Sequence, residues 1–229
     1  MRYLTTIFLF IISIQLSHSQ THELGVFLGG SNFIGDVGAT DYIAPNQLAF
    51  GGIYKWNRSP RHSFRFSLIY SELKMDDLKS DDPRRQERGY QINNHIVEAS
   101  LGLEFTFLDF DLHQGTNKAT PYLYTGVTAA YHDNLYFTRN GQLISENTSS
   151  IAYGIPMVLG FKYRFVENFV IAAEIGARYT FSDEIDGSVP DYDNDAPSAF
   201  GNKNNNDWYM FTGVTLTYTF GRKPCYCVF

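Results

Sequence analysis

Nowhere does this chain offer a run of about 18 consecutive apolar residues, so a membrane-spanning helix is not expected. Cysteine is nearly missing. The two present, Cys225 and Cys227, sit at the extreme C-terminus, and two residues cannot make a disulfide framework. Concentrated positive charge is lacking too. Net charge is −6, with the acids gathered in candidate loops, which argues against nucleic-acid binding. What the chain has in quantity is aromatic: 19 Phe and 16 Tyr, heavy for a water-soluble protein. Mean hydropathy is nonetheless slightly negative. Alternating strands reconcile these facts, because polar and apolar residues average out along them.

The N-terminus reads as a signal peptide over 1–19. Arg2 supplies the positive charge, Leu4 to Leu16 is mostly apolar, and Ser17-His18-Ser19 puts small residues before a cleavage at Gln20. No Cys stands directly after that point, so a lipoprotein is not expected. The expected domains are then a barrel over 20–220 and a C-terminal tail over 221–229.

Eight segments alternate: about Glu23–Gly30, Gln47–Asn57, Arg61–Glu72, Asn94–Phe110, Thr120–His132, Ile151–Val166, Asn168–Ser182 and Trp208–Phe220. In the sixth, Ile151, Tyr153, Ile155, Met157, Leu159, Phe161, Tyr163 and Phe165 share one face. Gly154, Gly160, Lys162 and Arg164 lie opposite. In the last, Val214, Leu216, Tyr218 and Phe220 oppose Gly213, Thr215, Thr217 and Thr219. A helical period would mix these faces. Pro156 inside the sixth segment predicts a bulge or bend. Links after segments 2, 4 and 6 are short and the others long, which is the loop asymmetry of an outer-membrane barrel. An even strand number then puts both termini on the short-turn, periplasmic side. The predicted fold is all-β: an eight-stranded antiparallel up-and-down transmembrane β-barrel. The rival is a soluble lipocalin-like barrel, which would turn its greasy face inward.

Charged residues share the glycine-bearing faces: Arg65, Glu98, Glu104, Lys162, Arg164, Glu174 and Arg178. They could form an ion path. The better reading is a paired network filling the lumen, since an eight-stranded interior is only wide enough for side chains and buried charges require partners. The acidic stretch Asp183–Asp207 spaces Asp191, Asp193 and Asp195 by two, as calcium loops do. It lacks the glycine and terminal glutamate of an EF-hand and reads as a solvated surface loop. Asp76, Asp77, Asp81 and Asp82 with Arg84, Arg85 and Arg88 read as a solvated, mobile loop as well. A lipid-modifying enzyme would need a His set by a carboxylate beside a nucleophile. His22, His62, His95, His113 and His132 are available, but nothing in the sequence brings one to such a site. No catalytic residue, metal or cofactor is expected.

Cys225 and Cys227 are too close to pair without strain. In an oxidising periplasm they predict a mixed disulfide or docking contact with another protein, or else a strained bridge or labile tail.

Several stretches resemble PorG, the small outer-membrane barrel of the type IX secretion system of Bacteroidetes. They are Glu23 to Asp36 (ELGVFLGGSNFIGD), Tyr54 to Pro60 (YKWNRSP), Glu98 to Phe105, Glu174 to Asp183, and Asn206 to Tyr209, with the ending Gly-Arg-Lys-Pro-Cys-Tyr-Cys at 221–227 as the distinctive piece. The loops at 73–91 and 134–149 match nothing in it. The resemblance implies a non-enzymatic protein that ties a periplasmic ring of PorK and PorN type to the outer membrane, in machinery that supports gliding motility in some relatives. Contact would fall on the short turns and the tail: Arg58, Arg61, Arg222, Lys223, Cys225, Tyr226 and Cys227. The four cations suit an acidic partner or phospholipid head groups equally. An independent alternative is a stand-alone surface barrel binding an external ligand through its long loops.

Overall fold

Period-two alternation becomes a closed ring. The computed structural model describes residues 21–111, 118–138, 140–190, 199–202 and 206–221. Its strands are β1 (Thr21–Ile34), β2 (Gln47–Asn57), β3 (His62–Asp76), β4 (Gln91–Thr106), β5 (Ala119–Phe137), β6 (Leu143–Val166), β7 (Phe169–Thr180) and β8 (Trp208–Phe220). Each pairs antiparallel with its neighbours in sequence, and β1 closes on β8 through thirteen registered positions, from His22↔Phe220 to Ile34↔Trp208. No helix among the described residues is long and apolar enough to cross a membrane. The expected signal peptide lies outside the described residues.

Closure decides which face meets what. Leu24, Val26 and Leu28 on β1, Phe64, Phe66 and Leu68 on β3, and Val214, Leu216 and Tyr218 on β8 all point outward and are exposed. The soluble rival is thereby excluded: the apolar face is outside, while Arg65, Glu98 and Arg178 are almost fully buried inside. Such an exterior is stable only against hydrocarbon. Aromatic rings border the belt at both ends. Trp56 packs on Phe64 with ring centroids 5.5 Å apart, and Phe169 on Tyr218 at 5.3 Å, near the short turns. Tyr179 meets Trp208 at 4.9 Å at the opposite rim. Amphipathic rings favour that interfacial depth.

The structure revises several expected boundaries. β5 and β6 run beyond the barrel as a two-stranded hairpin, pairing Leu135↔Ser145 and Phe137↔Leu143 past a bulge at Asp133/Leu135. The expected long loop 133–150 shrinks to the turn 138–142, closed by Thr138 N donating to the Gln142 carbonyl at 2.9 Å. Pro156 produces no register shift. It keeps its place opposite Arg178 on β7, while the β5 pairing is interrupted between Met157↔Thr125 and Gly154↔Thr128. Lacking an N–H, it costs a rung of the ladder rather than bulging the strand.

The 77–90 loop is ordered, contrary to the mobile loop expected. A 3-10 turn (Asp77–Lys79) leads to helix α1 (Pro83–Arg88), which starts on Asp82 as N-cap and ends on Gly89 at φ 68°. Asp77 is fully buried and accepts from Gly38 N (2.8 Å), Tyr90 N (3.0 Å) and the Arg88 guanidinium (2.7 Å). Arg88 also donates to the Asp36 carbonyl at 2.7 Å and lies over Tyr90 and Phe200. A buried carboxylate with this many donors is an organising centre, not a surface charge. It ties the β1–β2 and β3–β4 loops together over the barrel mouth.

Candidate functional site

Two regions could carry function: the lumen and the short-turn face. Within the lumen, strand parity aims four acids (Glu23, Glu98, Glu104, Glu174) and four bases (Lys55, Arg65, Lys162, Arg178) inward, so formal charge cancels. Glu104 lies between two ammoniums, Lys55 Nζ and Lys162 Nζ, each at 2.7 Å, with Arg65 at 3.9 Å. Arg65 grips Glu174 with both terminal nitrogens, at 2.7 and 2.9 Å, and Tyr122 OH donates to the same carboxylate at 2.7 Å. Such fork-to-carboxylate geometry is the strong form of an ion pair. Arg178 meets Glu98 through Nε at 3.1 Å, and Tyr209 OH donates to Glu98 at 2.6 Å. Glu23 accepts from Asn57 and Thr217.

Room for this packing comes from missing side chains. A Cβ on Gly160 would stand 2.3 Å from the Tyr122 ring, so that glycine is what lets Tyr122 reach Glu174. Above the charged layer the lumen is apolar: Phe27, Ile53, Ile69, Leu73, Ile96, Tyr209 and Phe211 form one buried cluster with Val37 and Ile185 from the loops. Below it, Phe110 packs on Val170 and lies 4.8 Å under Lys162. The interior is thus packed shut at both ends of the network.

Six of the seven sequence-predicted lumen charges meet in this network; Arg164 sits half-buried at the turn end, donating to the Asp111 carbonyl at 3.0 Å. Glu23 and Lys55 were missed. Their signal was parity: Lys55 shares a face with Gly51 and Ile53, and Glu23 with Gly25 and Phe27. The apolar upper lumen was missed too, since a small and polar interior was expected.

At the short-turn face, the turn 58–61 is stitched to the next link. Phe110 N donates to the Pro60 carbonyl at 3.0 Å and Thr106 N to the Arg61 carbonyl at 2.9 Å. Arg58 is exposed and stacks 5.9 Å over Trp56, whereas Arg61 is paired with Asp109. Gly221, at φ 122°, turns the chain out of β8. Arg222, Lys223, Cys225, Tyr226 and Cys227 lie outside the described residues.

The histidines are dispersed. Ser59 Oγ lies 3.2 Å from His62 Nδ1 in an exposed turn, but the carboxylate of the adjoining link, Asp109, goes to Arg61. His95 sits near Tyr70 and Glu72 on the outer face, and His132 is buried beside the Asp133 carbonyl. Among the described residues no group of three or more His, Cys, Asp or Glu is placed to hold a metal ion.

An eight-stranded ring with an apolar exterior, aromatic borders and a charge-filled interior is the fold of a small outer-membrane β-barrel, and its apolar belt is the lipid-facing surface. Over residues 1–229 the chain matches the model of the DUF6089 family, described as a domain of unknown function, and it belongs to that family. Among solved structures it is similar to a major outer membrane protein from Thermus thermophilus, at 13% identity and a TM-score of 0.50, covering 89% of this chain and 100% of that one. The attachment invasion locus protein Ail of Yersinia pestis is 13% identical (TM-score 0.48; 88% of this chain, 99% of that). Neisserial surface protein A is 9% identical (TM-score 0.48; 89% and 98%). No curated protein sequence matches the chain.

Proposed function

We propose that this barrel is a non-enzymatic outer-membrane anchor for a periplasmic ring of PorK and PorN type in type IX secretion. The observation that carries the reading is the filled lumen. With Arg65, Glu104, Glu174, Lys55 and Lys162 consumed by one another, little is left inside for transport or chemistry. The work then falls to the outer faces. The short-turn face suits docking: its turns are tied into a rigid platform, Arg58 is exposed, and the tail with the PorG-like ending leaves from Gly221 beside it. In this reading both termini are periplasmic, and Cys225 and Cys227 form a mixed disulfide or a docking contact with a ring protein.

Deleting 221–229 tests it. The barrel is expected to insert normally, while ring proteins no longer co-purify and secretion falls. Survival of both with a normally inserted barrel would refute the anchor. Non-reducing gels of isolated envelopes separately test the disulfide: absence of a Cys-dependent high-mass band leaves only non-covalent docking. The folded cap of Asp77, α1 and residues 182–190 favours a second reading, a surface that binds an external ligand. Trimming that cap would abolish ligand capture and leave ring attachment intact.

A further inference from the structure

The β1–β2 loop returns to the barrel on its outer side. β1 pairs with β8 without a slip as far as Ile34↔Trp208, so its even positions keep the outward face of Leu24, Val26 and Leu28. Gly30 and Asn32 are the next two outward positions, and each carries part of the loop. A Cβ on Gly30 would stand 2.6 Å from Pro45 Cβ, so Pro45 packs on the exterior wall where glycine leaves it room. Asn32 is only 3% exposed although it faces outward, because residues 41–44 are bound to it. Its Nδ2 donates to the Asp41 carbonyl at 2.8 Å and the Tyr42 carbonyl at 3.3 Å, and its Oδ1 accepts from Ala44 N at 3.4 Å. Asn46 N donates to the Ser31 carbonyl at 2.9 Å, and Asn46 Nδ2 to the Lys74 carbonyl at 3.0 Å.

Register fixes the height of this attachment. Gly30 stands opposite Leu48 on β2, an exposed member of the apolar belt. Ile34, one outward step beyond Asn32, stands opposite Trp208, a ring of the aromatic border at this end. Residues 41–45 are therefore held between belt and border, on the lipid side of Trp208. Tyr42 and Ile43 are 71% and 56% exposed, and from Tyr42 to Pro45 the loop carries no charge. Asp41 lines a small cleft with Lys74, Asp76 and Lys79, so the charges of this corner gather beside one another and off the apolar tip. Irregular backbone at the edge of hydrocarbon needs its polar groups satisfied from within the protein. Asn32 supplies that for Asp41, Tyr42 and Ala44, and Pro45 has no N–H to satisfy. A loop tip standing in water would need no such side chain.

We propose that the tip of the β1–β2 loop, Tyr42 to Pro45, is a membrane-seated wedge whose partner is the lipid leaflet at the long-loop end of the barrel. Ile43 enters the acyl chains and the Tyr42 hydroxyl stays with the head groups, the depth that amphipathic rings favour. Continuity with the belt names this occupant. Pro45 covers Gly30 beside Leu48, and Leu28 follows on the same face of β1, so the tip extends a surface that already meets lipid. A soluble partner would have to take the tip away from that surface. The wedge gives the barrel a second foothold at this rim, next to the ring of Trp208, and removes one long connection from those open to a ligand in water.

The test uses the full chain with Cys225→Ser and Cys227→Ser, folded into phosphatidylcholine nanodiscs, which leave both faces open to solvent. A bimane label is placed through Ile43→Cys on the tip, Leu48→Cys on the belt or Gln142→Cys on the exposed hairpin turn. Bromine on the lipid acyl chains is expected to quench the Ile43 and Leu48 labels and to leave the Gln142 label bright. Dissolved iodide should quench the Gln142 label several-fold more steeply than the Ile43 label. Asn32→Ala, which frees residues 41–44, should make the Ile43 label sensitive to iodide, with heat-modifiable gel migration showing that the barrel is still folded. An Ile43 label that behaves like the Gln142 label overturns the proposal, because the tip is then in water; this comparison decides even where Asn32→Ala does not fold. An Ile43 label shielded from both quenchers also overturns it, since the occupant is then protein. So does unchanged quenching in a folded Asn32→Ala barrel.

Discussion

Replacing Glu104 by Gln should be the most damaging single change in the lumen. The substitution keeps the shape and removes one charge. Lys55 Nζ and Lys162 Nζ, 1% and 2% exposed, then face a neutral amide where each had a carboxylate oxygen at 2.7 Å. Breaking a buried ion pair from one side costs about 3–5 kcal/mol, because the survivor is left uncompensated. Here two cations are stranded together, with Arg65 3.9 Å from the former carboxylate, so the upper end, about 5 kcal/mol, is expected. Glu98→Gln strands only Arg178, which keeps its bond to the Gly176 carbonyl and its place over Phe211, so about 3 kcal/mol is expected there. Adding Lys162→Met to Glu104→Gln should recover roughly half of the loss, since one stranded cation disappears. Urea titrations of the barrel folded in lipid vesicles, read by heat-modifiable migration and tryptophan fluorescence, give all three values. A Glu104→Gln barrel within about 1 kcal/mol of the parent, or one less affected than Glu98→Gln, would show that the network is solvated rather than sealed.

In planar bilayers the intact barrel should give no steady conductance; a persistent open level would contradict the packed interior. Leu216→Arg, on the lipid-facing belt, should cost about 2–4 kcal/mol in the same vesicle titration, while leaving a detergent-folded barrel less affected. Gly160→Ala forces Tyr122 off Glu174 and should cost about 1–3 kcal/mol by urea titration, despite adding a single methyl. Asp77→Ala removes the acceptor shared by Gly38, Arg88 and Tyr90; protease should then cut between β3 and β4 while the barrel keeps its folded gel migration.

The wall of the barrel was legible because membrane strands advertise themselves by parity. β2 and β8 begin and end where the alternation begins and ends, at Gln47, Asn57, Trp208 and Phe220. Parity also brought Glu98, Arg178, Arg65 and Glu174 to one interior, though not which would pair, since the partners lie on strands far apart in sequence. What escaped was held by tertiary contact alone. Ser145 to Ser150 has the composition of a loop, yet forms strand because β5 supplies a partner across the turn. Asp77 and Asp186 look like surface acids, and their burial depends on backbone donors from other loops. Phe27 and Phe211 were hidden because a greasy residue on the inward face breaks the alternation rule; they are inside because the loops cap that end.

The neutral interior also bears on assembly. The close ion pairs join strands that are not neighbours: Lys55 on β2 and Lys162 on β6 meet Glu104 on β4, Arg65 on β3 meets Glu174 on β7, and Arg178 on β7 meets Glu98 on β4, so no hairpin alone can form them. A partly built sheet entering the bilayer would carry unmatched charge into hydrocarbon, and a two-residue slip at any seam would keep the greasy side outward yet misalign the ions. The charges therefore act as a checksum on strand order and register. Insertion should be all-or-none, with the ring completed before its charged layer reaches membrane depth.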